Sequence, residues 1–198
     1  MTNPIKQSIR ATCLGVREQL TSAYTKKASR KICERILKLE QYRYAKRLAL
    51  YQAVKGEVDL SELWRSAPTQ GKYCYFPALN DDFTLSFLPA TPTSKFVNNR
   101  YNIPEPTISR QEAANAKTLD IIFIPLVAFD SNGTRLGMGA GYYDRTLATP
   151  HESLLIGVAY EFQRVPFIQP EPWDVTLDAV ITEKNTDWFK RYDEGSRP

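Results

Sequence analysis

The sequence predicts an α/β fold in which a largely parallel, mixed sheet is flanked by helices in layers. Short apolar segments typical of buried strands alternate along the chain with segments of helical periodicity. A length of 198 residues is typical of one domain, and an apolar fraction of 42% is enough for a hydrophobic core. We therefore expect a single domain over residues 1–198, with a basic helical part at about 1–46 and an α/β body at about 47–198.

Two helices are predicted in the basic part. Residues 5–20 contain no proline, and Thr21 with Ser22 offers an N-cap for a second helix that runs to about Leu39. The second helix is amphipathic, with one apolar face formed by Ala28, Ile32, Ile36 and Leu39.

The body contains six predicted strands, at residues 47–54, 72–77, 83–88, 119–124, 154–160 and 178–182. Helices are predicted at 58–67, 142–148 and 186–192, and residues 89–118 form a proline-rich loop region. Ligands of parallel sheets bind beyond the carboxyl ends of the strands. We therefore expect the site walls to be the loops that follow Val54, Phe76, Ile124 and Tyr160.

Charge is unevenly distributed along the chain. Residues 1–47 hold twelve Lys and Arg against three Asp and Glu, whereas the whole chain carries a net charge of only +4. This asymmetry predicts an anionic ligand or partner near the basic part.

Several classes of protein are disfavoured by composition. The chain has no apolar run of about 18 residues that would span a membrane, and its first residues do not resemble a signal peptide. Cys13, Cys33 and Cys74 are widely spaced, which predicts free thiols in a reducing cytoplasm. His151 is the only histidine, so neither histidine-based catalysis nor a multi-histidine metal site is expected.

The stretch from Arg135 to Arg145 carries the strongest functional signal. It reads Arg-Leu-Gly-Met-Gly-Ala-Gly-Tyr-Tyr-Asp-Arg and lies between a predicted strand and a predicted helix. Alternating glycines let backbone N–H groups turn toward one anion, and Asp144 adds a carboxylate suited to Mg²⁺. This pattern predicts a site for a nucleoside triphosphate with its magnesium ion.

Two common phosphate motifs do not fit this stretch. It contains no lysine, which excludes a Walker loop, and Tyr142 stands where the dinucleotide fingerprint needs glycine. The remaining alternative is a glycine-rich surface turn that binds nothing. On spacing alone, Lys6 and Arg10 also have two interpretations: a pair that faces one phosphate chain, or two solvated charges.

Residues 125–130 and 133–145 resemble the signature of the 5-formyltetrahydrofolate cyclo-ligase family, also called methenyltetrahydrofolate synthetases. The similarity extends from Lys6 to about Glu183, and it includes the Lys-x-x-x-Arg pattern that Lys6 and Arg10 match. One departure is Ala140, where bacterial members often carry glycine and others lysine. Its methyl group tightens the loop slightly, and we expect phosphate binding to persist.

The resemblance implies a fold of the NagB/RpiA/CoA-transferase-like type and an ATP- and Mg²⁺-dependent ligase of folate one-carbon metabolism. Such an enzyme closes 5-formyltetrahydrofolate to 5,10-methenyltetrahydrofolate and releases ADP and phosphate. It phosphorylates the formyl oxygen before the nitrogen at position 10 attacks. The expected partner is a small-molecule folate, and we expect a cytoplasmic monomer that binds neither membrane nor nucleic acid.

The resemblance also implies residue roles. The expected catalytic residues are Lys6, Arg10, Arg135 and Asp144. The expected ATP contacts are Lys6, Arg10, Arg135, Leu136, Gly137, Met138, Gly139, Ala140, Gly141, Tyr142 and Tyr143. The expected folate contacts are Val54, Glu57, Tyr101, Glu105, Met138, Tyr142 and Gln163. Magnesium is assigned to Asp144 and Asp178, with Asp174 as a weaker alternative to Asp178.

Two other functions stay open at this stage. The first is a family paralogue with the same nucleotide pocket that acts on another small molecule or only senses a nucleotide. The second is a binding module whose basic helices contact the phosphates of a nucleic acid, although only Tyr24, Tyr42 and Tyr44 are interleaved with the basic residues.

Overall fold

A mixed seven-stranded sheet organises the computed structural model, which describes residues 3–189. In chain order the strands are β1 (Arg47–Ala49), β2 (Tyr73–Leu79), β3 (Leu85–Pro89), β4 (Phe96–Asn98), β5 (Pro104–Pro106), β6 (Ile121–Pro125), β7 (Ala128–Phe129), β8 (Arg135–Leu136), β9 (Leu154–Val158), β10 (Ala179–Ile181) and β11 (Thr186–Trp188). The helices are α1 (Pro4–Glu18), α2 (Ser22–Lys38), α3 (Glu40–Tyr44), α4 (Ser61–Ser66) and α5 (Tyr142–Leu147).

The central part of the sheet is parallel. The order across it is β11-β10-β9-β6-β1-β2-β3, and the five inner strands pair in parallel. The two edge strands, β3 and β11, are antiparallel to their neighbours. The predicted α/β class, with a largely parallel mixed sheet, is therefore confirmed.

Capping explains where the first two helices begin. The Asn3 side chain accepts hydrogen bonds from the Ile5 and Lys6 backbone N–H groups, at 2.9 and 3.3 Å. Thr21 caps α2 by accepting from the Tyr24 N–H at 3.2 Å, as predicted. These bonds satisfy donors that the first turn of a helix leaves free.

The sheet is buried on both faces. On one face α2 and α4 pack against the strands through residues such as Ile32, Ile36, Leu63, Phe76 and Phe123. The opposite face is covered by a second cluster that includes Ile122, Phe129, Leu147 and Leu177. Core packing therefore joins the helical N-terminal part to the α/β body. No helix within residues 3–189 is long and apolar enough to cross a membrane.

Three sequence-based element predictions need correction. Residues 186–188 form strand β11 instead of the start of a terminal helix, because they pair with β10; positions 190–192 of that predicted helix lie outside the described residues. The strand predicted at 47–54 ends at Ala49, since β6 pairs only with Leu48 and Ala49. The region at 89–118 is not all loop, because β4 and β5 form a hairpin within it.

Candidate active site

The glycine loop, residues 137–141, connects the β7–β8 hairpin to α5. Asp130 shapes the hairpin, because its fully buried carboxylate accepts hydrogen bonds from the backbone of Asn132, Thr134 and Ile168. At the other end of the loop, Gly141 has φ +71°, and a Cβ there would lie 2.7 Å from Arg145 Nη1. The loop conformation therefore requires glycine at this position.

Helix α1 brings both of its predicted site cations to this region. Arg10 Nε donates to the Gly137 carbonyl oxygen at 2.9 Å, which fixes α1 against the glycine loop. Lys6 is only 8% exposed, and its Nζ lies 3.1 Å from Glu171 Oε1 and 3.5 Å from Asp174 Oδ2. Burial lowers the pKa of Arg10, and the charge of Asp174 acts in the opposite direction. Both cations thus have protein partners in this structure.

Arg135 and Asp144 flank the loop as an ion pair. Arg135 Nη2 lies 2.6 Å from Asp144 Oδ1, and the same oxygen accepts from the Val175 N–H at 3.1 Å. Arg135 Nη1 in turn donates to the Val175 carbonyl oxygen. The segment at residues 171–175 is consequently held beside the glycine loop and α1 at once.

The two alternatives for a second metal ligand lie in different places. Asp174 is on the segment beside the loop, next to Val175 and close to Lys6. Asp178 precedes β10, is 5% exposed, and its Oδ2 accepts from the Leu155 N–H at 2.8 Å. Asp178 is therefore at the amino ends of the parallel strands, opposite to the end where ligands bind in such sheets.

Within residues 3–189, no group of three or more His, Cys, Asp or Glu side chains is arranged as a metal cage. Magnesium is usually bound through one or two carboxylates, water and phosphate oxygens. Asp144 and Asp174 fit that requirement, because both carboxylates border the glycine loop where phosphates would lie.

A second polar group, here called the Glu57 cluster, consists of Arg17, Tyr51, Glu57 and Tyr143. Glu57 Oε2 accepts from the Val54 N–H at 3.1 Å, and Arg17 Nη2 lies 3.9 Å from Glu57 Oε1. Burial raises the pKa of Glu57, and the Val54 hydrogen bond and Arg17 partly offset that effect. Burial and the charge of Glu57 together raise the pKa of Tyr51 and of Tyr143 well above the usual value. The cluster lies beyond the carboxyl end of β1, where a folate contact was expected.

Gln163 has a positional role in this region. Its Oε1 accepts from the Tyr160 N–H at 2.7 Å, and its Nε2 donates to the carbonyl oxygens of Leu126 and Val127 at 2.7 and 2.9 Å. Because its amide is fully engaged with backbone, Gln163 holds together the segments that follow β6 and β9.

The β4–β5 hairpin forms another wall near the loop. Glu105 is buried and accepts from the Leu79 N–H and Asn99 Nδ2, both at 2.8 Å, which ties the hairpin to the end of β2. Tyr101 at its tip is half-exposed and meets Tyr142 edge-on, with ring centroids 6.3 Å apart. Met138 is also half-exposed. The predicted folate contacts therefore lie in three places: the Glu57 cluster, the glycine loop and this hairpin.

Sequence reasoning missed three residues that the structure brings to the site. Arg17 was overlooked although it continues the helical spacing of Lys6, Arg10 and Cys13 on α1. That periodicity would have identified it. Glu171, the partner of Lys6, and Arg100, whose Nη2 is 2.5 Å from Tyr142 Oη, had no local signal because both contacts are distant in sequence.

Comparison with known proteins agrees with these features. The model of the 5-formyltetrahydrofolate cyclo-ligase family matches residues 2–183. The 5-formyltetrahydrofolate cyclo-ligase of Haemophilus influenzae is 38% identical over 186 residues, which cover 91% of this chain and 99% of the relative. That of Escherichia coli K12 is 34% identical over 84% of this chain and 93% of its own length.

Two solved structures have the same fold. The 5,10-methenyltetrahydrofolate synthetase of Aquifex aeolicus superposes with a TM-score of 0.83 at 32% identity, over 94% of this chain and 93% of that one. The synthetase of Mycoplasma pneumoniae superposes with a TM-score of 0.73 at 27% identity, over 90% and 98%. The family expected from the motif at residues 125–145 is confirmed, and the chain belongs to the 5-formyltetrahydrofolate cyclo-ligase family.

Proposed function

We propose that this protein converts 5-formyltetrahydrofolate and ATP into 5,10-methenyltetrahydrofolate, ADP and phosphate. One observation carries the proposal: α1 reaches both the glycine loop, through Arg10, and the Glu57 cluster, through Arg17. Arg17 follows Arg10 by seven positions, which is about 10 Å along a helix. This spacing allows a triphosphate and a folate ring to meet with the formyl group between them.

The cationic side of the site would bind and orient the triphosphate. Phosphoryl transfer depends mainly on positioning and on stabilising charge on the phosphate oxygens. Lys6, Arg10 and the backbone N–H groups of the glycine loop supply donors, and Arg135 holds Asp144 in place. Asp144 and Asp174 would hold Mg²⁺, which neutralises phosphate charge when bound. The remaining contacts proposed for ATP are Leu136, Gly137, Met138, Gly139, Ala140, Gly141, Tyr142 and Tyr143.

The Glu57 side would hold the folate. An ionised carboxylate accepts two N–H donors of a pterin edge in parallel, and Glu57 offers a largely buried carboxylate beyond the carboxyl end of β1. Tyr101, Tyr142 and Met138 would line the wall nearer the loop, whereas Val54, Glu105 and Gln163 hold its shape.

The proposed chemistry needs no nucleophilic side chain. The formyl oxygen attacks the terminal phosphorus, the bond to ADP breaks, and the formyl carbon becomes a good electrophile. The nitrogen at position 10 then attacks this carbon and loses its proton, and phosphate leaves with the former formyl oxygen.

The test is formation of the methenyl product, followed by its near-ultraviolet absorbance, with and without ATP and Mg²⁺. Turnover that requires both supports the proposal. Binding of MgATP without methenyl formation would instead indicate a paralogue that acts on another molecule.

The proposal includes a monomeric state, a cytoplasmic location and no nucleic acid partner. Light scattering on the purified protein tests the first of these, and a gel shift at several salt concentrations tests the last. A steeply salt-dependent shift would favour the nucleic-acid-binding alternative.

A further inference from the structure

Helix α1 has an unusual buried stripe. Lys6, Cys13 and Arg17 are its buried side chains and Arg10 is partly buried, so three of these four positions are cationic, and Ile9 and Leu14 pack beside them. A helix normally buries an apolar stripe. Lys6 and Arg10 are accounted for by the glycine loop, whereas Arg17 lies about two turns further on and contacts neither phosphate-side partner.

Arg17 is buried without being fully paired. Its side chain is 2% exposed, and its one hydrogen bond joins Nη1 to the Leu126 carbonyl oxygen at 3.4 Å. Its Nε and Nη2 have no hydrogen-bond partner within the described residues. Buried guanidinium groups are rarely left in this state, and those that are require an explanation. The bond to Leu126 does not provide one, because it uses only Nη1 and leaves Nε and Nη2 unaccounted for.

The charge nearest to these nitrogens is the carboxylate of Glu57, 3.9 Å from Nη2. The turn that carries Glu57 packs directly on Arg17, since a Cβ at Gly56 would lie 3.4 Å from Arg17 Cγ. Gly56 also has φ +75°, a conformation that favours glycine, and the turn lies against the stem of the Arg17 side chain.

Glu57 needs such a cation. Its side chain is 12% exposed, and the other ionisable groups that face it are Tyr51 from the segment after β1, Tyr143 from α5 and Lys55 from its own turn. Lys55 is exposed and lowers the pKa of Glu57 less than Arg17 does. A carboxylate in such surroundings is otherwise driven to its neutral form.

We propose that Arg17 is a positioning residue for the folate ring, which keeps Glu57 ionised and aligned to accept the pterin N–H groups. This inference rests on the proposed function, because it assigns a partner to the carboxylate that the function requires. Arg17 itself touches neither phosphate nor the reacting atoms.

The expected signature is a pH dependence. A carboxylate accepts two N–H donors only when ionised, so folate affinity falls as the pH falls through the pKa of Glu57. Removal of Arg17 raises that pKa, and the loss of affinity then begins at a higher pH. An opposite charge at this distance commonly shifts a carboxyl pKa by about one unit or more.

The experiment measures KM for 5-formyltetrahydrofolate from pH 5.5 to 8, with saturating MgATP, in wild type, Arg17→Met and Arg17→Lys. We expect the acid limb of kcat/KM to move upward by about one pH unit or more in Arg17→Met, and less in Arg17→Lys, which keeps the charge. Calorimetric binding of MgATP should be unchanged in both. The matched control is Lys55→Met, which removes an exposed positive charge from the same turn and should move the limb less than Arg17→Met does.

Coincident acid limbs in wild type and Arg17→Met would overturn the inference. If Arg17→Met does not fold, Arg17→Gln takes its place, because it removes the charge and keeps polar atoms in the site. An Arg17→Gln limb that coincides with wild type then overturns the inference equally. Glu57→Gln separates this inference from the proposed function. An unchanged KM for folate in Glu57→Gln would disprove the folate contact assigned to Glu57. A raised KM in Glu57→Gln, together with an unmoved acid limb in Arg17→Met, would disprove only the role of Arg17.

Discussion

The two ends of α1 contact sites of opposite character. At the amino end, Lys6 and Arg10 are cations held by carboxylates and a carbonyl oxygen beside an exposed glycine loop. At the other end, a buried carboxylate, Glu57, lies among tyrosines with one guanidinium beside it. The first end is suited to a highly charged ligand, and the second to a flat polar ring with N–H donors that a carboxylate can accept. In the function proposed here, one helix would position two chemically different ligands relative to each other.

The largest expected effect comes from removing charge at the phosphate end. Lys6→Ala and Asp144→Ala should each lower kcat/KM by roughly a hundredfold to a thousandfold, because each removes a group that positions or neutralises the triphosphate. Steady-state kinetics gives the effect, and circular dichroism verifies that the fold persists. Lys27→Ala, on the exposed face of α2, is the control that should turn over normally. Wild-type rates in both site variants would refute the proposed function.

A substitution at the Glu57 end of α1 should weaken folate binding and leave ATP binding unchanged. Glu57→Gln should raise KM for 5-formyltetrahydrofolate about tenfold to a hundredfold, because hydrogen bonds to a charged group are worth about 1.5–3 kcal/mol. KM for MgATP should change little. The control is Glu62→Gln, an exposed carboxyl on α4. If Glu57→Gln instead raises the KM for ATP, the division between the two ends is wrong.

Asp174 and Asp178 offer a paired comparison at the metal site. Asp174→Asn should raise the Mg²⁺ concentration for half-maximal rate about tenfold, since a carboxylate ligand is lost. Asp178→Asn should leave that concentration unchanged and lower Tm by several degrees, because its bond to the Leu155 N–H is worth about 1–2 kcal/mol. Magnesium titrations and thermal melts of both variants would show the reverse pattern if Asp178 were the ligand.

The smallest effect concerns the conformation of the glycine loop. Gly141→Ala should cost about 1 kcal/mol of unfolding free energy or more, because φ is positive and the new methyl would meet Arg145. Gly137→Ala has open space around its Cβ position and should cost less. Denaturant melts of the two variants provide the comparison. Equal losses would show that the loop has no special backbone requirement at Gly141.

Local patterns predicted most of the fold. The alternation of strands and helices, the Thr21 cap and the turn before the glycine loop were all encoded within a few residues. The strand at 186–188 was not, because β10 provides its pairing partner and short polar segments have no decisive propensity. Likewise, β4 and β5 stabilise each other across the turn at Tyr101.

The site was predictable where residues adjoin in sequence and not where the chain brings distant residues together. The glycine loop with Asp144 is continuous, so its composition alone pointed to phosphate. The Lys6–Glu171 pair spans 165 residues and the Arg17–Leu126 bond spans 109. No local pattern records such contacts. The roles of the individual site residues remain predictions that the variants above are designed to test.

The pairing of Lys6 with Glu171 and Asp174 has a consequence for ligand choice. A ligand that binds Lys6 displaces two carboxylates. The binding free energy that it gains there is therefore only the difference between its own attraction to Lys6 and theirs. A nucleoside has no phosphate charge and a monophosphate has no more negative charge than these two carboxylates, whereas a triphosphate has considerably more. We therefore expect nucleotide affinity to depend more on the number of phosphates than on the base. Competition by AMP, ADP and ATP would measure that selectivity.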